Sequence, residues 1–139
     1  MINEKFIVKL INKINCILKK EKKFKKILNN YNNPQVFVCS PQLMRSLEKK
    51  FFKKNKEPDI LSFNWPKNFP SIDKKPPLGE IYLNKKVLKD KQYLKRLLVH
   101  GFLHLLGFTH FKKSDSIKME KKEAQILNYL NKNGSNLRG

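Results

Sequence analysis

The chain of 139 residues holds three histidines, and all of them fall in the run His100-Gly101-Phe102-Leu103-His104-Leu105-Leu106-Gly107-Phe108-Thr109-His110. If Leu97 to Leu106 is helical, His100 and His104 stand one above the other on one face, about 6 Å apart along the axis. Two imidazoles so placed can chelate one ion. Gly107 can take the left-handed conformation that ends a helix, turning the chain back so that His110 approaches the same point from outside. Three neutral imidazoles with a fourth position open describe a catalytic zinc site, whereas a structural site is closed by four protein ligands. The alternative is a set of core histidines. Against it, Leu97, Leu98, Val99, Phe102, Leu103, Leu105 and Leu106 make this helix apolar nearly all round, and two polar rings buried there without partners would be costly. The spacing predicts one Zn2+ per chain, held by His100, His104 and His110.

The same His-x-x-x-His-x-x-Gly-x-x-His spacing is similar to that of the metzincin peptidases. Those enzymes carry Glu directly after the first His, as the base that deprotonates the zinc-bound water. Here that position is Gly101. A glycine cannot move a proton, so a peptidase mechanism lacks a part.

The motif HGFLHLLGFTH resembles the signature of the YbeY family of metal-dependent bacterial endoribonucleases, which reads His-Gly-x-Leu-His-Leu-x-Gly-Tyr-Asp-His. Other segments agree in order. Asp59-Ile60-Leu61-Ser62-Phe63 is similar to the family's Asp-Val-Leu-Ser-Phe strand, Leu78-Gly79-Glu80-Ile81 to its Leu-Gly-Asp-Ile strand, and Met119-Glu120 through Glu123 to Ile126-Leu127 to its closing Met-Glu-x-x-Glu helix. The resemblance runs from about Gln35 to Leu130. It implies an α+β fold, a small mixed β-sheet with packed helices and a zincin-like three-histidine metal site; the length of 139 residues predicts a single domain over residues 1–139. The resemblance also implies a single-strand-specific, zinc-dependent endoribonuclease of ribosomal RNA processing, acting in 16S rRNA 3′ end maturation and ribosome biogenesis. Ribosomal RNA or the ribosome would then be the partner, and the cytoplasm the location.

The chain departs from the family pattern in places that bear on activity. Thr109 replaces Asp before the third His, and Phe108 replaces Tyr, which predicts weaker hydrogen bonding around the ligands. The family's Tyr-Arg pair, whose arginine is implicated in activity, falls on Phe51-Phe52 without a gap, or on Phe52-Lys53 with one residue deleted before Asp59. Lys53 is therefore a catalytic candidate, a point charge without the planar fork of arginine. The stretch from Asn84 to His100 is shorter than usual, as if a helix had been trimmed. The motif supplies no carboxylate base, so activation of the metal-bound water is expected to rest on the metal itself; Glu80 and Asp59 are candidates from their place near the matched strands. Two rival readings stay open: a non-catalytic zinc-containing protein that binds RNA or the ribosome, and a zinc peptidase or other hydrolase with a Glu recruited from elsewhere.

Positioning these residues requires a set of short elements. Phe6 to Ile11 fits a strand, since Phe6, Val8 and Leu10 alternate, and equally a helix, since Phe6, Leu10, Ile14 and Ile17 form a stripe; the resemblance implies a strand, then a helix from about Ile14 to Asn30. The Lys-rich run Lys19 to Lys26 is expected as a solvated face of that helix, with RNA contact as the alternative. Gln35 to Cys39 reads as a strand, and Ser40-Pro41 as the start of a helix that runs to about Lys54. Asp59 to Phe63 and Gly79 to Asn84 read as further strands, separated by a proline-rich loop in which Trp65 and Phe69 either pin the loop to the core or stack on bases. Asp90 is a candidate N-cap for the ligand helix, and an amphipathic helix is expected from about Ser114 to Asn131, with a frayed tail from Asn133 to Gly139.

Composition bounds the partners. Thirty-one basic against eleven acidic residues give a formal charge of +20, which attracts polyanions over a long range. An AT-rich coding sequence would also enrich lysine, asparagine and isoleucine, so the charge supports RNA binding only modestly. Cys16 and Cys39 form no Cys-x-x-Cys pair, and no disulfide framework or disulfide-linked partner is expected. No stretch approaches the roughly 18 apolar residues of a membrane span, and the N-terminus lacks a signal-peptide pattern, so no membrane partner is expected and the reading is a soluble, cytoplasmic protein.

Overall fold

A computed structural model describes residues 2–132 apart from Asn68 and Ile72; the expected tail from Asn133 to Gly139 lies outside the described residues. The chain begins with two helices, α1 (Glu4–Leu18) and α2 (Lys22–Leu28). The strand expected over Phe6 to Ile11 is not formed. Ile7, Leu10, Ile11, Ile14 and Leu18 are all buried, a stripe of helical period that a strand would split between two faces. Val8, which the alternating pattern would have buried, is 57% exposed. Asn3 caps α1 by accepting from the Phe6 amide at 3.0 Å. The single helix expected to continue to Asn30 is broken between Leu18 and Lys22, which lets Phe24 and Leu28 reach the core while Lys20, Lys22, Lys23, Lys25 and Lys26 stay in solvent.

Three strands follow: β1 (Gln35–Cys39), β2 (Ile60–Asn64) and β3 (Gly79–Asn84), with helix α3 (Pro41–Phe52) between the first two. The sheet order is β1-β3-β2. β1 runs parallel to β3, placing Phe37 opposite Tyr82, and β2 runs antiparallel to β3, placing Phe63 opposite Glu80. The sheet is mixed and small, and the fold is α+β. Ser40 caps α3 by accepting from the Leu43 amide at 3.2 Å, with Pro41 at the first helical position. A short 3-10 helix (Lys85–Lys89) then stands where the trimmed segment was expected, leading into α4 (Lys91–Leu105), which bears His100 and His104, and finally α5 (Lys113–Lys132).

The main core lies on one face of the sheet. Ile81 and Leu83 of β3 meet Leu94, Leu98, Phe102, Leu103 and Leu105 of α4, with α1 and α5 closing over them. A smaller cluster of Cys39, Met44 and Leu61 joins α3 to the other face. α4 is thus covered on several sides, which explains why its sequence is apolar nearly all round. Trp65 and Phe69 belong to neither cluster. Their rings meet edge to face at 5.4 Å, and the Trp65 indole donates to the Phe69 carbonyl at 3.3 Å; the loop is pinned to itself rather than to the core. Among the described residues no helix is long and apolar enough to cross a membrane, and Cys16 and Cys39 are both free.

Candidate metal centre

α4 starts where expected, with the Asp90 carboxylate accepting from the amides of Gln92 and Tyr93 at 3.0 and 3.1 Å. Its end is built by Gly107, whose φ of 100° is a conformation that L side chains rarely adopt. The Gly107 amide donates to the His104 carbonyl at 3.0 Å and the Phe108 amide to the Leu103 carbonyl at 3.1 Å. That pair of bonds is a Schellman motif, which satisfies carbonyls the helix leaves open and reverses the chain. Gly107→Ala is therefore expected to cost about 1–2 kcal/mol; a Cβ there would meet nothing within 4 Å, so the loss would come from backbone strain. A urea midpoint equal to the parent's would contradict this.

The reversal brings His110 onto the two helical histidines. Ring centroids are 4.4 Å apart for His100 and His104, 5.0 Å for His100 and His110, and 4.5 Å for His104 and His110. One nitrogen from each ring lies within 4.8 Å of the others, and the Nε2 atoms of His100 and His104 are 2.9 Å apart. A tetrahedral ion bound at roughly 2.0–2.1 Å needs nitrogens about 3.4 Å apart, a value inside this range. The outer nitrogens are already engaged: His100 Nδ1 meets Glu123 Oε1 at 2.5 Å and His104 Nδ1 meets the Phe108 carbonyl oxygen at 2.9 Å. A carboxylate and a carbonyl can only accept, so both rings carry hydrogen on Nδ1 and turn a lone pair on Nε2 inward. This donor set fits a divalent ion.

Burial holds the His104 imidazole below its ordinary pKa, helped by the charge His100 would carry, against the raising effect of the Phe108 carbonyl. The neutral form that a metal ligand must have is thereby favoured.

The carboxylates named from the sequence are not at this site. Asp59 accepts from the Tyr93 hydroxyl and lies 3.4 Å from Lys86 Nζ. Glu80 accepts from the Tyr82 hydroxyl at 3.2 Å on the sheet face opposite α4. Lys53 is exposed at the C-terminal cap of α3, with a left-handed φ of 55°. The acid that does reach the histidines is Glu123, which the sequence offered only as part of the matched closing helix and not as a site residue. Its signal was present: Met119, Ile126 and Leu130 are the buried positions of α5, and Glu123 sits in that stripe, four residues after the first and three before the second. Removing such an outer partner is expected to lower divalent-ion affinity by about 10- to 100-fold in Glu123→Ala. Titration against a chromophoric chelator would measure it, and unchanged affinity would mean that Glu123 does not orient His100.

The Thr109 hydroxyl, beside His110, donates to Asp115 at 3.4 Å. Phe108 packs its ring against Phe24 at 6.0 Å. The bond it makes to His104 comes from its backbone, so the lost tyrosine hydroxyl leaves that contact intact.

Comparison with known proteins agrees with this geometry. Residues 2–131 match the sequence profile of the family described as Endoribonuclease YbeY. The chain is 35% identical over 125 residues to the Endoribonuclease YbeY of Pelagibacter ubique (strain HTCC1062), covering 84% of this chain and 81% of that protein. It is 41% identical over 126 residues to the protein of the same name from Thermodesulfovibrio yellowstonii, covering 80% and 77%, and 34% identical over 125 residues to that of Buchnera aphidicola subsp. Schizaphis graminum, covering 80% and 77%. With a match that spans nearly the whole chain and three histidines converging as described, this protein belongs to the YbeY endoribonuclease family.

Proposed function

We propose that this chain is a zinc-dependent endoribonuclease that cleaves single-stranded ribosomal RNA, in the maturation of the 16S rRNA 3′ end, in the cytoplasm, and as a single domain over residues 1–139. The observation that carries the reading is the inward convergence of three imidazoles whose helical pair is held from behind by Glu123 and the Phe108 carbonyl. One Zn2+ per chain on His100, His104 and His110 suits that donor set. When bound, such an ion supplies Lewis acidity toward a phosphodiester oxygen and lowers the pKa of its water toward about 7. Glu123 keeps the Nδ1 proton of His100 in place, so that ring presents a fixed lone pair. Lys53 is proposed to attract RNA phosphate as a point charge.

A peptidase is disfavoured by Gly101. A Cβ at that position would lie 2.9 Å from both Ile60 Cδ1 and Ser62 Oγ, so the place where a metzincin carries its base is pressed against the sheet. A non-catalytic RNA-binding role is the second reading, favoured by the absence of an arginine at either place where the resemblance puts the family's Tyr-Arg pair, Phe51-Phe52 or, with one residue deleted, Phe52-Lys53. Single-turnover cleavage separates the two. Zinc-loaded protein should cut a single-stranded ribosomal RNA fragment and spare the duplex form, with cutting lost in His104→Ala; tight binding without cleavage, with or without ribosomes, would make the binding reading the better one.

A further inference from the structure

The sheet face turned away from α4 carries aromatic rings that the metal centre does not use. Strand alternation places Phe37 of β1, Glu80 and Tyr82 of β3 and Leu61 and Phe63 of β2 on this face. α3 covers one end of it, where Met44 and Leu47 pack with Cys39 and Leu61. Phe63 and Tyr82 are partly buried against the same cluster; Phe37 stacks on Tyr82 with centroids 5.2 Å apart, and Phe63 meets Tyr82 edge-on at 5.9 Å. Phe51 and Phe52, in the last turn of α3, lie 5.2 and 6.0 Å from Phe63. Rings that merely completed a core would be covered, yet Phe37, Phe51 and Phe52 are 40%, 54% and 47% exposed.

The rim of this face is cationic. Lys49 and Lys50 occupy the last turn of α3, and Lys53 and Lys54 follow directly; all four are exposed. None of them is in an ion pair among the described residues, and Lys50 Nζ sits 5.6 Å from the centre of the Phe51 ring. Flat apolar rings bordered by unpaired ammonium groups match a ligand with exposed π faces on a polyanionic backbone. An unpaired nucleic-acid strand has both, whereas a duplex keeps its base faces inside the stack. Glu80 adds an acceptor on the same face, suited to the exocyclic amine of a base.

We propose that this aromatic face binds unpaired RNA by base stacking and delivers the strand to the metal centre across the edge of the sheet. β2 is an edge strand. Phe63 stands between Ser62, which faces Gly101 of α4, and Asn64, whose amide donates to the Leu105 carbonyl at 2.8 Å. One strand therefore joins the aromatic face to the turn of α4 that carries His104. The delivery half of this inference rests on the endoribonuclease reading; the binding half does not.

The test uses full-length protein stripped of metal, so that no cleavage intervenes, with a single-stranded oligoribonucleotide of about twelve nucleotides carrying a central 2-aminopurine, and its duplex form. The Phe51→Ala/Phe52→Ala double variant is expected to bind the single strand about tenfold more weakly by fluorescence anisotropy. It should lose the 2-aminopurine quenching, bind duplex as the parent does and keep the same salt dependence. Phe52→Trp should retain quenching, while Phe52→Leu, which keeps apolar contact with Phe63, should lose it. Lys50→Ala/Lys53→Ala should instead lower the log-log salt slope by about 0.7 per lysine. Single-strand affinity unchanged in the folded double variant, or an equal loss on duplex, would overturn the proposal. If the zinc-loaded protein cleaves RNA while the phenylalanine variants bind and cut like the parent, this inference fails and the nuclease reading stands; ring-dependent quenching in a protein that never cleaves leaves the stacking face and removes the nuclease.

Discussion

His104→Ala should release the metal and abolish RNA cleavage while leaving salt-sensitive RNA binding in place. His104 is the central member of the group, 2.9 Å from His100 through Nε2 and 4.5 Å from His110 between ring centres. Losing it removes a ligand outright, so affinity should fall by more than the roughly 10- to 100-fold expected from losing an outer partner. Elemental analysis of protein purified without chelator would give the stoichiometry, expected to be one ion for the parent and none for the variant. Equal metal content in both proteins would refute the three-histidine assignment. Because the variant keeps its lysines, RNA affinity at low salt should change little, and its steep decline with salt should persist.

Gly101→Glu is expected to destabilise the fold by about 3–5 kcal/mol and to confer no peptidase activity. The cause is spatial. Gly101 is fully covered, and even a Cβ there would press on Ile60, Ser62 and, at 3.4 Å, Ile81. A glutamate would add a carboxylate to the seam between α4 and the sheet, with no basic partner among those neighbours. Gly101→Ala should be much milder, since the gain in helix propensity of about 1 kcal/mol offsets part of the squeeze on two movable side-chain ends. Urea unfolding of the pair measures the difference; equal midpoints would mean that the helix does not lie as close to the sheet as described.

The histidine spacing and Gly107 made the convergence of the three imidazoles legible, because helix periodicity and a left-handed terminus fix geometry within one local segment. Asp90, Ser40 and Pro41 marked helix starts for the same local reason, and Gln35–Cys39 and Gly79–Asn84 form strands with the bounds read from the sequence. What failed was long-range. Phe6 to Ile11 satisfied both periods, and only the presence of α4 and α5 beside it selects the helical one. Glu123 lies 23 positions from His100; the α5 periodicity puts it on the buried stripe, but that it meets His100 depends on how α5 docks, which local spacing does not encode. Asp59 and Glu80 looked equally available in sequence, yet strand register sends Glu80 to the far face and Tyr93 with Lys86 claim Asp59.

The local construction of the three-histidine turn has a thermodynamic side. All the imidazoles lie within eleven consecutive residues, so an ion that joins them closes only a short loop, at small entropic expense even in a denatured chain. The unfolded protein thus retains a chelating peptide of its own, lacking only the orientation that Glu123 and the helix provide. Metal that binds both states stabilises the native one by the ratio of the two affinities rather than by the native affinity alone. Thermal protection by zinc should accordingly level off once the free ion also saturates the denatured chain, and that plateau would measure how much of the native binding strength comes from folding.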